Sequence, residues 1–404
     1  MKTVAIISEY NPFHSGHEYQ IQKIREEFGA DTRIIAIMSG NYTQRGDMAI
    51  MDKSLRAECA VRCGVNLVLE LPFPFSSSSA EFFSRSGVKI AHSLGVVDYL
   101  SFGSECGSIE ELVNAAKNMS SKEYKALLKQ NLAAKNIRNT GYPQICELTY
   151  KQLYNDSISD FFFSPNNILA LEYIKAIYDI KSHLIPHTIK RVGAGYSDNA
   201  IQNSKHQSAS AIRLLMRKNP ISAIEYIPQK LKNTLLENLD NHNFPCDSER
   251  LAPAVISHLR INPCPDIDFH DAGGGLYNRL QNASFEATTI SKLTELADTK
   301  KYTSARIRRA IWFSFFGVTS SEVCELPLYT QVLAMDNVGK SILKEVKKIS
   351  SFPVVTKPSS YDLLSEEAKL QKQLSDMADS IFQLSKPKSV SGKLSLLTTP
   401  YIMN

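Results

Sequence analysis

No run of apolar residues in this chain approaches the ~18 that a membrane span requires. The N-terminus offers one lysine and a short apolar stretch, Val4-Ala5-Ile6-Ile7, before polar residues return. A secretory leader needs an apolar core of about 7–15 residues, so none is expected, and the chain reads as soluble and cytoplasmic with no membrane partner. Cysteine is sparse: seven, an odd number, scattered from Cys59 to Cys324. The one close pair, Cys59 and Cys63, sits a helical turn apart with no second pair or neighbouring histidine, so no metal site is assigned. Reduced core thiols fit a reducing compartment. Neither sign of charge dominates, with 46 Lys and Arg against 41 Asp and Glu, a net +5. At 43% hydrophobic and 22% charged residues, the composition excludes disordered, collagen-like and coiled-coil classes. What remains is an ordinary globular profile over 404 residues, enough for two or three domains.

The charge is unevenly spread. Residues 185–232 carry eight bases (Lys190, Arg191, Lys205, Arg213, Arg217, Lys218, Lys230, Lys232) against two acids, Asp198 and Glu225. A second cluster, Lys300, Lys301, Arg306, Arg308 and Arg309, contains no acid. Such clusters are either solvated helical faces or the footprint of a phosphate-rich partner.

Strand and helix signals alternate over the first hundred residues. Thr3–Ile7, Arg33–Met38, Asn66–Glu70 and Val96–Phe102 are short apolar runs, separated by helical patterns at Gly16–Glu27, Asp52–Cys63 and Ser79–Ser93. Near-continuous apolar strands separated by helices predict a doubly wound α/β domain, a Rossmann-like parallel sheet covered on both faces. Ligands bind such domains at the carboxyl ends of the strands. Residues 108–160 read as a polar helical insertion. Ser164 and Pro165 open a further helix as N-cap and first helical residue. Ile185–Ile189 reads as a fifth strand broken by Gly193 and Gly195, and another helix starts near Ser208. The domain is expected to span residues 1–220. Beyond it strand signals fade into a mostly α-helical C-terminal domain, 221–404, with a short extended element at Phe352-Pro353-Val354-Val355. Asp271-Ala272-Gly273-Gly274-Gly275 lacks the flanking strand of a dinucleotide fingerprint and reads as a loop.

The segment Ile7–Gln20, ISEYNPFHSGHEYQ, carries the most chemistry. It follows the first strand and opens the first helix, which puts His14, Gly16 and His17 at a helix N-terminus, a natural anion site. Gly16 lets backbone approach a ligand closely, and two imidazoles beside it can donate to phosphate oxygens. Capping is the bland role open to either histidine.

His14-Ser15-Gly16-His17 resembles the signature of the HIGH-type nucleotidyltransferase superfamily, which includes class I aminoacyl-tRNA synthetases and pantetheine-phosphate adenylyltransferase. A closer resemblance, along most of the chain, is to the bacterial tRNA(Met) cytidine acetate ligase family. It is carried by Glu9-Tyr10-Asn11-Pro12-Phe13-His14, Met38-Ser39-Gly40-Asn41, Gln44-Arg45-Gly46, Leu69-Glu70-Leu71-Pro72, Phe102-Gly103-Ser104-Glu105 and Ser164-Pro165-Asn166 with Leu169-Ala170 and Glu172-Tyr173. The C-terminal half resembles the family more loosely. The resemblance implies an ATP-dependent ligase that activates acetate as acetyl-adenylate, releases pyrophosphate and acetylates N4 of the wobble cytidine of elongator tRNA(Met). Mg2+ is expected with the ATP.

The resemblance places ATP against Ile7, Ser8, Glu9, Tyr10, Asn11, Pro12, Phe13, His14, Ser15, Gly16, His17, Glu18, Tyr19, Gln20, Gly103, Asn166 and Arg191, with His14 and His17 as the catalytic pair. Gly103 ends the fourth strand, where a small residue admits base or ribose. Asn166 offers donor and acceptor in a first helical turn, although it could merely cap. Arg191 can grip phosphate bidentately. Ser208-Ala209-Ser210-Ala211-Ile212-Arg213 is similar to the superfamily's second phosphate motif but departs from it at Ala209, which makes Ser210 and Arg213 secondary candidates. Arg45 follows the second strand and is expected to meet acetate or a tRNA phosphate, or else to pair with Asp47 or Asp52. The two basic clusters would hold the tRNA backbone. The rival readings are a small-molecule adenylyltransferase or pantothenate-synthetase-like ligase, and a non-catalytic tRNA-binding protein.

Overall fold

The computed structural model describes residues 1–134, 141–154, 164–191, 207–263, 267–324, 326–393 and 399–403. Gly193, Gly195, Asp198 and Lys205 lie outside them. Val4 and Ile6 face one side of the first strand, Ala5 and Ile7 the other, and all four are buried. A strand buried on both faces belongs inside a sheet. That strand, β1 (Thr3–Ser8), is joined by β2 (Arg33–Ser39), β3 (Leu67–Leu71), β4 (Tyr99–Ser104) and β5 (Ile185–Lys190). They pair in parallel in the order β5-β4-β1-β2-β3. The order reverses between β1 and β4, and that switch point is where a doubly wound sheet opens a crevice.

Helices cover both faces. α1 (Ser15–Phe28) and α2 (Lys53–Arg62) pack with Val4, Ile6, Ile34 and Val68 on one face. α3 (Ala80–Ser93) packs with Ala5, Ile7, Ile35 and Leu69 on the other. The expected insertion is helical where described, as α4 (Ile109–Ser120), α5 (Lys122–Ala133) and α6 (Tyr142–Tyr154). α7 (Pro165–Asp179) joins the α3 face, and α8 (Ala209–Lys218) the α1 face.

Helices predominate beyond residue 220, but this half does not stand apart from the first. β6 (Thr330–Met335) runs antiparallel against β3, and extends the sheet to β7 (Val354–Val355) and β8 (Tyr401–Ile402). The TQVLAM run of β6 is too short for periodicity to separate strand from helix, which is why the sequence reading passed over it. A further core lies at the carboxyl edge of the sheet. There Tyr42 and Phe73, from the loops after β2 and β3, pack among α9 (Ala252–Ile261), α10 (Leu276–Ser284), α11 (Ile290–Ala297) and α12 (Ser304–Phe316). α13 (Asn337–Ile349) returns to the α3 face, and α14 (Glu366–Phe382) adds Ala378 and Phe382 to the carboxyl-edge core.

Candidate active site

The link from β1 to α1 turns sharply. Tyr10 holds φ at 45°, a left-handed conformation that costs a bulky residue ~1–3 kcal/mol and persists only where its surroundings enforce it. Here they do: the ring sits 4.9 Å, centroid to centroid, from both Phe13 and His17. Asn11 Oδ1 accepts from the Ile50 amide at 2.9 Å, and its carbonyl accepts from Arg213 Nη1 at 2.7 Å. The fully buried Arg56 donates to the carbonyls of Glu9, Ser39 and Gly40, and so stitches the carboxyl ends of β1 and β2 together.

His14 is the N-cap of α1, and the two histidines form a reciprocal capping box. His14 Nδ1 accepts from the Gly16 amide at 3.0 Å, and His17 Nδ1 accepts from the His14 amide at 3.2 Å. A ring nitrogen that accepts is unprotonated, so each neutral ring carries its proton on Nε2. The rings lie 3.9 Å apart. Burial, with the neighbouring His14 and Arg191 adding to it, pushes the His17 pKa well below its ordinary value. His17 is therefore an uncharged hydrogen-bond donor at neutral pH. Capping and ligand contact are not alternatives here, because capping through Nδ1 is what aims the Nε2–H.

Two connected lobes open at the switch point. One is lined by Gly16, Tyr19, Gln20, Gly103, Ile189, Lys190 and Gln207, the other by Ile7, Ser8, Glu9, Tyr10, Asn11, Gln44, Arg45, Phe83, Pro165, Asn166, Leu169, Tyr173, Ala209, Ser210 and Arg213. His14, His17, Arg191 and Ser208 line both and form the joint between them. Gly103 is tight against the Arg191 stem: a Cβ there would lie 3.2 Å from Arg191 Cγ. The Arg191 amide donates to the Ser104 carbonyl at 2.9 Å, which continues the β4–β5 ladder to the rim of the cleft.

Ser164 does not cap α7 through its side chain. The Glu105 carboxylate takes that place, with Oε2 accepting the Asn167 amide at 2.9 Å and Oε1 accepting Asn166 Nδ2 at 2.6 Å. A carboxylate at a helix N-terminus answers the helix dipole better than a hydroxyl, and only the folded chain brings it there from β4. Asn167 is fully buried and accepts the Glu105 amide, whereas Asn166 faces the cleft with its Nδ2 held by Glu105. Ser208 Oγ caps α8 by accepting the Ala211 amide, and Ser210 Oγ accepts from Arg213 Nη2 at 3.1 Å.

Of the sequence-predicted site residues, Pro12, Phe13, Ser15 and Glu18 do not line the cleft. Phe13 is buried behind His17, Ser15 is the first helical residue, and Glu18 pairs outward with Lys230 at 2.9 Å. Neither Asp47 nor Asp52 has Arg45 as its partner: Asp47 pairs with Arg308 and Asp52 with Lys386, and Arg45 lines the cleft. The sequence reading missed Phe83, Leu169 and Tyr173 as wall residues. The last two stand four apart on α7, so one helical face was the available signal.

The second basic cluster is largely spent inside the fold. Arg309 is buried against Asp271 at 2.5 Å, Arg308 reaches Asp47 at 3.0 Å, and Arg306 donates to the carbonyls of Asp271 and Gly273. Of the five, Lys300 and Lys301 stay exposed, the latter with Nζ 2.9 Å from the Gly274 carbonyl.

Residues 1–394 match the family model described as HIGH nucleotidyl transferase. A protein of Thermoanaerobacter sp. (strain X514), named tRNA(Met) cytidine acetate ligase, is 35% identical over 400 residues, covering 97% of this chain and 98% of its own. A protein of the same name from Acetivibrio thermocellus is 34% identical over 375 residues, 89% of each chain. The crystal structure of Thermotoga maritima TmcAL in its apo form I superposes with a TM-score of 0.93 at 29% identity over the whole of both chains. Its form II, bound with alpha-thio ATP, gives 0.89 at 28% identity, again over all of both chains.

Proposed function

The chain belongs to the HIGH nucleotidyl transferase family and, within it, to the tRNA(Met) cytidine acetate ligases, and from that premise we propose that its cleft joins acetate to ATP and passes the acetyl group to N4 of the wobble cytidine of elongator tRNA(Met). The observation that carries this reading is the paired histidine cap. Both Nδ1 atoms are occupied by amides of one helix terminus, so two Nε2–H donors and the positive end of α1 act at the joint of the cleft.

In the first step an acetate oxygen attacks the α-phosphorus in line, the bond to the β-phosphate oxygen breaks, and pyrophosphate leaves with that electron pair. Acetate is already ionised at pH 7, so no base is required. Donors fixed where charge accumulates on phosphoryl oxygens are each worth ~10²–10³ in rate. His14 and His17 supply two, and Arg191, Arg213 and Arg45 supply positive charge around them. Asn166, with Nδ2 committed to Glu105, presents Oδ1 as an acceptor for an adenine amine. Mg2+ comes with the triphosphate. Among the described residues no group of three or more His, Cys, Asp or Glu forms a cage for it.

In the second step the N4 amine attacks the acetyl carbonyl and AMP leaves. N4 is a poor nucleophile because its lone pair is delocalised into the ring, which is why an activated acyl donor is needed. A wobble base already lies in a single-stranded loop and can be splayed into a pocket at modest cost. The exposed Arg217, Lys218, Lys300 and Lys301 are suited to contacting the tRNA backbone. Cytoplasmic location follows from that substrate.

The test is mass spectrometry of digested tRNA after incubation with ATP and isotopically labelled acetate. Labelled N4-acetylcytidine that needs both ATP and an intact His17 supports the reading. Acetate-dependent AMP release with unmodified tRNA overturns the acceptor, and tRNA binding with neither product overturns catalysis.

A further inference from the structure

Transfer of an acyl group to an amine releases a proton, and none of the groups above takes it. The histidine lone pairs on Nδ1 hold backbone amides, and the remaining cleft ions among the described residues are arginines and a lysine, which donate only. Among the described residues lining the two lobes, the one carboxylate is that of Glu9.

Resting on the ligase reading, we infer that Glu9 is the general base of the acetyl-transfer step. It stands one residue past the end of β1, in the lobe with Gln44, Arg45 and Phe83, and the joint lined by His14, His17, Arg191 and Ser208 lies beside it. With an acyl phosphate at that joint, an amine entering through this lobe would meet the carboxylate. Glu9 Oε1 accepts the Gln44 amide at 3.0 Å, which fixes the group, and Oε2 has no hydrogen-bond partner among the described residues. In the step, the N4 lone pair forms the new bond to the acetyl carbon and the bond from that carbon to the phosphate oxygen breaks. AMP departs with that electron pair, and one N4 proton passes to Glu9 Oε2 and on to solvent. Burial raises the Glu9 pKa above the usual carboxylate value while Arg213 and Arg45 oppose the rise, so the group is a stronger base than a surface carboxylate yet remains ionisable.

The experiment compares wild type with E9Q, whose amide oxygen preserves the acceptor for the Gln44 amide, and with E9D. Two quantities are read: acetate-dependent exchange of labelled pyrophosphate into ATP, and single-turnover acetyl transfer to tRNA from pH 4 to 9. Expected for E9Q are a loss of transfer of ~10²–10⁴-fold that exceeds its loss of exchange at least about tenfold, and loss of the rising limb of the wild-type pH profile. E9D recovers part of the transfer rate together with a rising limb. A thermal melt of each variant certifies that it is folded. Equal losses in the two steps, or a rising limb that persists in E9Q, overturn the inference. A wild type that makes no acetylated tRNA overturns the ligase reading beneath it, whereas wild-type transfer by E9Q overturns the role of Glu9 alone.

Discussion

Gly16→Ala separates the chemical use of the histidine cap from its structural use. Gly16 is the second residue of α1, and a Cβ there would lie 2.8 Å from His14 Cε1 and 3.0 Å from His14 Nδ1. Carbon atoms in contact rest at about 3.5–4.0 Å, so the imidazole has to retreat by roughly 0.7 Å or more. That movement weakens the bond from the Gly16 amide to Nδ1 and swings the opposite nitrogen with it. For stability the effects nearly cancel. Losing the cap costs about 1 kcal/mol, while alanine in place of glycine in a helix returns about 0.5–1 kcal/mol. A net change near zero moves Tm by no more than about 4 °C. For catalysis nothing cancels, because a misplacement near 1 Å costs about 10²-fold, or ~2.7 kcal/mol of barrier.

Acetate-dependent pyrophosphate exchange and a thermal melt on the same preparation check both halves. The expected result is exchange lowered roughly 10²-fold with Tm nearly unchanged. Exchange within threefold of wild type at unchanged Tm would refute the claim that the His14 ring position matters to phosphoryl chemistry. A fall in Tm above about 10 °C would instead refute the cancellation worked out above.

Lys53→Met removes the cation shared by Glu70 and Asp379, both buried, and is expected to cost ~3–5 kcal/mol in urea unfolding. Because unpaired buried carboxylates titrate above their unfolded values, that deficit is greatest at pH 8 and shrinks toward pH 5. Burial already pushes the Asp379 carboxyl up, to about 7, against the opposing charge of Lys53. His17 is held neutral by a pKa depressed below 6.5, so its contribution to stability is complete above that pH and declines as pH falls below it. Urea midpoints of His17→Asn should show a shallower acid-side loss than wild type. The double variant K300A/K301A should lower the slope of log K for tRNA against log salt by one to two, at constant Tm. Arg309→Ala should instead lower stability by ~3 kcal/mol or more, because it leaves Asp271 without its buried partner.

The parallel sheet was legible because strands buried on both faces have few other homes. The run at Thr3–Ile7 predicted β1 to within one residue, and that at Arg33–Met38 predicted β2 equally well. The helix at Pro165 was placed correctly with Ser164 as its N-cap residue, but the carboxylate that accepts its first amides comes from Glu105, of which local patterns contain no trace. β6 failed for a similar reason. What makes residues 330–335 a strand is the exposed edge of β3 and the Thr330 Oγ1 bond to the Glu70 carbonyl, both set by residues some 260 positions earlier. The histidine pair was legible as a site, but the assignment of its nitrogens was not, because that depends on which amide each ring accepts.

Two of the blocks that carry the family resemblance, Met38–Asn41 and Leu69–Pro72, do not line the cleft at all. A Cβ on Gly40 would lie 2.7 Å from Glu70 Oε1, so glycine there makes room for the carboxylate that receives Lys53. Asn41 accepts the Lys53 amide at 2.8 Å and donates to Asp379 of α14 at 2.8 Å. This fixes one end of the loop after β2. The other end is fixed by α12: Gly46, at φ 76°, backs onto the Arg309 amide, and Trp312 Nε1 donates to the Gly46 carbonyl at 2.9 Å. Gln44 and Arg45, which line the same lobe as Glu9, are therefore suspended between two anchors that both belong to the C-terminal half. A helical half that only held tRNA would have no need of a buried ionic joint reaching the sheet. Its helices also set where Arg45 and the Gln44 amide stand, and through that amide the Glu9 carboxylate, so the C-terminal half takes part in building the cleft itself.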